Sequence, residues 1–257
     1  MPVHLTLRAE RRGGLTVYPV TARTDAIDAF VTSRAGGVSD PPYDSLNLGE
    51  HVGDDPERVA ENRRRVARAA GVTPDALLIA RQVHGADVVV VPHARGPVEA
   101  DGQCTDADDV AVAILVADCV PVLLADATSS WFGVVHAGWR GLAAGVLEAA
   151  VARFDDPTTL RAVLGPSISA SRYQVGPEVA GLFADVPGAT TRDVGDRWRL
   201  DLGQVVVRRL AAAGLSDDRV DVLDASTDDT TRFFSDRAQR PTGRIALVAR
   251  RRSMSAP

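Results

Sequence analysis

Between Val110 and His136 the chain passes through three apolar stretches in close succession: Val110 to Ala117, Val120 to Ala125, and Trp131 to His136. Each has the length of a strand, and together they commit the chain to a buried β core. The first two are parted only by Asp118 and Cys119, with Pro121 just beyond. Those polar and kinked positions exclude a membrane span over the same stretch. The third run leads into Ala137-Gly138-Trp139-Arg140-Gly141, the composition of a tight turn into a helix.

The remaining elements follow from the same signals. Residues 1–15 suggest a short leading strand or tail, and Ala29 to Arg34 a strand. Residues 38–53, rich in Gly, Pro, Asp, Ser and Asn, read as a long loop of the kind that often carries function. Asp54-Asp55-Pro56-Glu57 opens a helix whose buried face takes Val59, Asn62, Val66 and Ala69 or Ala70, and Gly71 stops it. Ala76 to Gln82 and Val88 to Val91 are β-runs around a turn at His84-Gly85. Helices are expected over Leu142 to Phe154, Pro177 to Phe183 and Leu202 to Ala213, and strands over Leu160 to Leu164, Val220 to Leu223 and Ile245 to Ala249. Strands and helices mix without regular alternation, so a mixed α/β sandwich is favoured over a doubly wound sheet.

The 257 residues are 45% hydrophobic, enough for one large domain or two small ones. The net charge of −5 argues against a nucleic-acid backbone binder, although local Arg groups can hold a small phosphate. Every basic side chain is Arg. Two cysteines are too few for a disulfide framework, and no basic-then-apolar leader opens the sequence. A soluble, cytoplasmic protein is expected.

Three metal-ligand types stand where strand-like runs meet turns: His84 in Gln82-Val83-His84-Gly85, Cys119 in Ala117-Asp118-Cys119-Val120-Pro121, and His136 in Val135-His136-Ala137-Gly138. Scaffolds present chemistry at such positions. Two imidazoles and a thiolate leave tetrahedral zinc one open position, the pattern of a catalytic site. Their spacings of 35 and 17 residues fit no finger, ribbon or His-Glu-x-x-His helix. Arg34 and Arg140, in Gly-rich turns, are candidates for phosphate contact because a planar guanidinium suits bidentate oxyanion binding. Asn47 is a candidate either to cap a turn or to line the site, and Asp118 to orient a ligand from behind. His51 is a weaker candidate for the pocket. Cys104, in the polar stretch Asp101 to Asp106, reads as incidental, and His4 and His93 read as surface residues.

These segments resemble a family known variously as multicopper polyphenol oxidases, laccase-domain purine nucleoside phosphorylases and peptidoglycan editing factors. The strings that carry the resemblance include Thr32 to Ser39, Ser45 to Gly49, Gln82 to Gly85, Ala117 to Val122 and Val135 to Gly141. Gly165 to Ile168, Tyr173 to Gly176 and Phe233 to Ser235 follow downstream. The likeness covers roughly residues 30 to 250, and it implies one domain over 1–257 with a fold akin to toxin cysteine deamidases. It also implies zinc on His84, Cys119 and His136. Many members carry Cys-Thr before the Phe-Phe-Ser string and Arg-Arg-Asp after it, whereas this chain has Ser226-Thr227 and Asp236-Arg237-Ala238.

The resemblance implies zinc-dependent phosphorolysis of adenosine, inosine, guanosine and methylthioadenosine, with adenosine deamination as a second activity. Its partners are then small molecules, a nucleoside and phosphate. The rival enzyme reading is an amidase that removes L-Ser from a UDP-muramoyl precursor, using the same metal or Cys119 as nucleophile. Copper polyphenol oxidation ranks lower, because type 1 copper plus a trinuclear cluster needs about ten His and a few Cys or Met. The chain has 5 His and 2 Met. A zinc-stabilised binding module would need a fourth protein ligand, for which the sequence offers no good candidate. The oligomeric state is left open.

Overall fold

The apolar runs become strands with both faces covered, because each lies in a sheet that another layer covers on either side. The computed structural model describes residues 2–91 and 98–252, so His93 lies outside the described residues. In chain order the strands are β1 (Val3–Thr6), β2 (Glu10–Arg12), β3 (Leu15–Val20), β4 (Ile27–Thr32), β5 (Leu77–Ile79), β6 (Val88–Val90), β7 (Gly102–Thr105) and β8 (Ala111–Val116). They continue as β9 (Val120–Asp126), β10 (Phe132–Ala137), β11 (Leu160–Leu164), β12 (Gln174–Val175), β13 (Thr190–Arg192), β14 (Trp198–Leu200), β15 (Val220–Asp224) and β16 (Ile245–Arg251). The helices are α1 (Pro56–Ala70), α2 (Trp139–Ala144), α3 (Val146–Val151), α4 (Pro177–Ala180) and α5 (Leu202–Ala212).

Two large mixed sheets dominate, ordered β1-β15-β11-β9-β10-β7-β6 and β2-β3-β4-β16-β8-β5, with a small sheet β12-β14-β13 beside them. The period-2 pleat decides which layer each side chain joins. On β9, Val120, Val122 and Leu124 pack with Leu142, Leu147, Val205 and Leu210 of the helices. Leu123 and Ala125 point the other way and pack with Val31, Ile114 and Leu247 of the facing sheet. Phe30, Ala113 and Val248 on the outer face of that second sheet are covered by Val66 and Ala70 of α1. The order of layers is therefore helix, sheet, sheet, helix. Phe132 is fully buried between the sheets. Truncating such a side chain to Ala costs about 3–5 kcal/mol.

α1 forms as its sequence directs. Asp55 caps it by accepting a hydrogen bond from Glu57 N at 2.8 Å, Pro56 fits the first turn, and Gly71 ends it at φ 72°. Elsewhere the structure corrects the reading. Residues 1–15 hold β1, β2 and the start of β3 in place of a single strand or tail. The helix expected over 142–154 begins at Trp139 and breaks at Gly145, whose φ of 89° is left-handed. The stretch that read as a polar loop around Cys104 is β7, fully buried, because Gln103 and Thr105 hydrogen-bond to Ala113 O and Val91 O.

Candidate metal centre

β8 belongs to one large sheet and β9 to the other, so the chain changes sheets at Asp118-Cys119. That crossing sets Cys119 beside the end of β10, which carries His136 opposite Pro121. His84 arrives on the turn between β5 and β6. Gln82 ties this turn to the end of β8: its amide donates to Leu115 O and accepts from Leu115 N, both at 2.7 Å. Among the described residues three non-glycine residues have positive φ, and two are at the site, His84 at 59° and Asp118 at 91°. Such backbone is retained where surrounding contacts over-determine it, often at functional sites.

One buried carboxylate organises two of the three candidate ligands. Asp101, with no exposed surface, accepts from the backbone N–H groups of Val83, His84 and Gly85 at 3.2, 3.1 and 2.7 Å. Its Oδ1 also lies 2.7 Å from His136 Nδ1. With Nδ1 held from behind, Nε2 of His136 is left for a ligand role. The ligand atoms of His84, Cys119 and His136 all lie within 4.8 Å of one another. Among the described residues the group has these three members and no fourth. A Cβ on Gly138 would come within 2.9 Å of Cys119 Sγ, so glycine is required where α2 begins beside the cluster.

The residues suit a soft-to-borderline cation. Burial pushes the Cys119 thiol up, but His136 and His84 outweigh it and bring the thiol down to about 6. Burial lowers His136, yet Cys119 and Asp101 raise it to about 9. Burial also pushes Asp101 up, while His136 and the Gly85 N–H hold its carboxyl below the usual range. Without metal, Cys119 and His136 are thus a thiolate beside an imidazolium; loss of the His136 proton leaves one thiolate and two imidazoles, the donor set zinc takes in open sites.

It forms the floor of a cleft of about 260 Å³, at the small end for small-molecule sites. Two arginine–aromatic stacks stand in its walls. The Arg140 guanidinium lies 4.2 Å from the Trp139 ring centroid, and that of Arg237 lies 5.0 Å from Tyr173. Neither has a carboxylate partner among the described residues; Arg237 donates to Gln174 O at 2.8 Å. Arg240 and Arg244 also line the cleft, but both face Asp236. His51 reaches the cleft from the long loop, its pKa lowered by burial and by Arg244 and Arg63.

The other candidates fall in three places. Arg140 and Asp118 line the cleft. Asp118 is turned toward Thr227 Oγ1 and Arg237 N, at 2.6 and 2.7 Å, so the carboxylate behind a ligand is Asp101. Asn47 is fully buried and accepts from Gly49 N and Arg244 N, which places it under the cleft wall. Arg34 lies outside the cleft lining, its guanidinium bonded to Asp44 O and Thr230 O and stacked 4.6 Å from Phe234. Asp101 escaped sequence reading because it stands in the polar stretch before β7 and its partners are 17 and 35 residues away. Arg237 was visible only as a departure from the family strings.

A family described as multi-copper polyphenol oxidoreductase laccase matches residues 28–252. The chain belongs to this family. Curated relatives within reach bear another name. A purine nucleoside phosphorylase, YfiH, from Escherichia coli (strain K12) is 38% identical over 241 residues, covering 90% of this chain and 96% of that protein. One from Mycobacterium tuberculosis (strain ATCC 25618 / H37Rv), Rv2149c, is 39% identical over 229 residues, covering 86% and 91%. Among solved structures, YlmD from Geobacillus stearothermophilus superposes with a TM-score of 0.89 at 30% identity, covering 96% of this chain and 99% of that one. NMB0706 from Neisseria meningitidis gives 0.86 at 32%, covering 93% and 99%. The family's name speaks of several coppers, whereas the described residues of this member hold one group of three metal-donor side chains. No helix among them is long and apolar enough to cross a membrane.

Proposed function

We propose that this chain is a zinc-dependent purine nucleoside phosphorylase that also deaminates adenosine, with both reactions at His84, Cys119 and His136. The observation that carries the reading is an open three-donor cluster facing two arginines that lack carboxylate partners. The names of the relatives support it. Zinc held by His84, Cys119 and His136 would supply Lewis-acid activation of an oxygen nucleophile, phosphate or water.

The chain's own groups do the rest. Arg140 and Arg237 hold phosphate by charge-assisted hydrogen bonds, and their stacking on Trp139 and Tyr173 fixes the guanidinium planes beforehand. A phosphate oxygen forms a bond to C1′ of the ribose as the C1′–N9 bond breaks. The electron pair goes to the departing purine, which takes up the proton that the attacking hydrogen phosphate gives up, giving free base and ribose 1-phosphate. His51, kept neutral by its depressed pKa, is available to donate to or accept from the nucleoside. In deamination, water replaces the 6-amino group of adenine and ammonia leaves.

The test is adenine and inosine release from adenosine by metal-verified protein, with and without phosphate. His84→Ala, Cys119→Ala and His136→Ala should abolish both products together. Deamination that persists in the Cys119→Ala protein with phosphorolysis lost would show two separate centres.

A second reading, removal of L-Ser from a UDP-muramoyl precursor, draws on the thiolate–imidazolium character of Cys119 and His136. Release of serine from that precursor by the same preparation, without turnover of adenosine, would favour it. The one group of three donors among the described residues is too small for multicopper oxidation.

A further inference from the structure

The cleft does not end at Arg237. That residue also lines a second cavity, of about 450 Å³, whose other walls include Arg172, Arg199, Asp228 and Ser235. The cavity lies between the small sheet and the loop that follows β15. Its inner wall is the β12–β14 pair, where Gln174 is opposite Arg199. Tyr173, immediately before Gln174, lines the metal cleft and carries Arg237 over its ring. The Tyr173–Arg237 stack is thus the partition between the two cavities, and Arg237 faces both.

The charges of this second cavity are unevenly matched. Arg199 has its Nε 2.6 Å from Asp193, so that charge is locally balanced. Asp228 contributes one carboxylate, which accepts from Ser169 Oγ. The Arg237 guanidinium is bonded only to a neutral oxygen, and Arg172 makes no side-chain hydrogen bond or ion pair among the described residues. Two guanidinium groups therefore face one carboxylate in a concave site that shares Arg237 with the cleft. Guanidinium pairs of this kind recognise phosphoryl oxygens, for which their planar forks are matched.

We propose that the second cavity binds an anionic substituent of the substrate, such that a 5′-phosphorylated nucleoside spans both sites, its sugar and base in the cleft and its phosphoryl group between Arg237 and Arg172. The proposal rests on the nucleoside reading of the cleft and extends the substrate class from nucleosides to nucleotides. The reacting phosphate is a different anion, held on the metal side by Arg140, and Arg237 stands between the two.

The experiment is calorimetric titration of metal-loaded protein in phosphate-free buffer with inosine and with inosine 5′-monophosphate, which have no amino group to lose, for the wild type, Arg172→Ala and Arg172→Lys. One charge-assisted contact more should make the nucleotide bind roughly tenfold tighter than the nucleoside. Arg172→Ala should remove that advantage and leave inosine affinity and adenosine phosphorolysis unchanged. Arg172→Lys should restore part of it. Arg172 is exposed, so its replacement should leave the melting temperature unaltered. Equal affinity for both ligands in the wild type, or an advantage that survives Arg172→Ala, overturns the subsite while adenosine turnover preserves the reading of the cleft. A raised KM for inorganic phosphate in Arg172→Ala assigns the cavity to the free ion and also overturns it. Failure to bind either ligand sinks the nucleoside reading, and the subsite with it.

Discussion

Cys104 and Cys119 lie near opposite edges of the same strand, β10, and have opposite characters. Cys104 is mid-strand in β7, opposite Gly133, fully buried, and burial pushes its thiol up to about 12. Cys119 lies just before β9, where the chain changes sheets, and two imidazoles bring its thiol down to about 6 despite burial. A mid-strand cysteine has its backbone committed to ladders and its neighbours fixed by the pleat. A strand-end cysteine can be met by side chains from a turn and from a neighbouring strand end, here His84 and His136. The contrast shows that reactivity follows position in the sheet, since the residue type is the same.

The strongest way to break this comparison is to exchange the roles. Cys119→Ala should lose bound metal and adenine release altogether, while Cys104→Ala should keep one ion per chain and most of its activity. Elemental analysis and product chromatography on both variants decide it, and metal retained by Cys119→Ala would end the contrast.

The next test is alkylation of the metal-free protein across pH. Cys119 should react with a midpoint near pH 6, and Cys104 should stay unmodified until the protein unfolds. The sign follows from linkage. The lowered thiol pKa contributes stability that is full above its ordinary value of 9.0 and is lost as pH falls through about 6. The raised His136 contributes stability that is full below its ordinary 6.5 and is lost as pH rises through about 9. The thiolate–imidazolium pair therefore exists between about pH 6 and 9; from pH 6.5 to 9 the rising thiol contribution and the falling imidazole contribution offset each other, so thermal stability of the metal-free chain should rise as pH passes about 6 and then hold level across the window. Stability that falls steadily across pH 6.5 to 9 would count against the pair.

Smaller effects sharpen the contrast. Asp101→Asn, which weakens the support behind His136 and the His84 turn, should reduce metal affinity roughly 10- to 100-fold with the fold kept. Competition with a chromogenic chelator reads this, and unchanged affinity would remove Asp101 from the account. Gly133→Ala would set a methyl 2.6 Å from Cys104 Sγ. It should cost about 1–3 kcal/mol in denaturant unfolding without altering metal stoichiometry. A loss of metal there would mean the two cysteine regions are coupled.

The sequence showed the parts of the fold whose burial comes from apolar side chains. Val110 to Ala117, Val120 to Ala125 and Trp131 to His136 are legible because both faces of β8, β9 and β10 are covered. β7 was hidden because its buried polar groups are satisfied by distant backbone, which no local pattern announces. The small sheet was missed because its strands are two or three residues long. At the site, the ligand types were visible in their strings, but their approach within 4.8 Å is a product of the sheet crossing and of Asp101. Arg34 shares its Gly-rich setting with Arg140, yet Asp44 and Thr230 draw it away from the cleft.

The central claim is that nucleoside chemistry takes place on one ion held by His84, Cys119 and His136. It is tested most directly by titrating chelator-stripped protein with zinc while following adenine release from adenosine and phosphate. Activity should start at zero, rise in proportion to bound zinc, and reach a plateau at one ion per chain. Full adenine release before any zinc is added, or a flat rate while the site fills, would contradict the account.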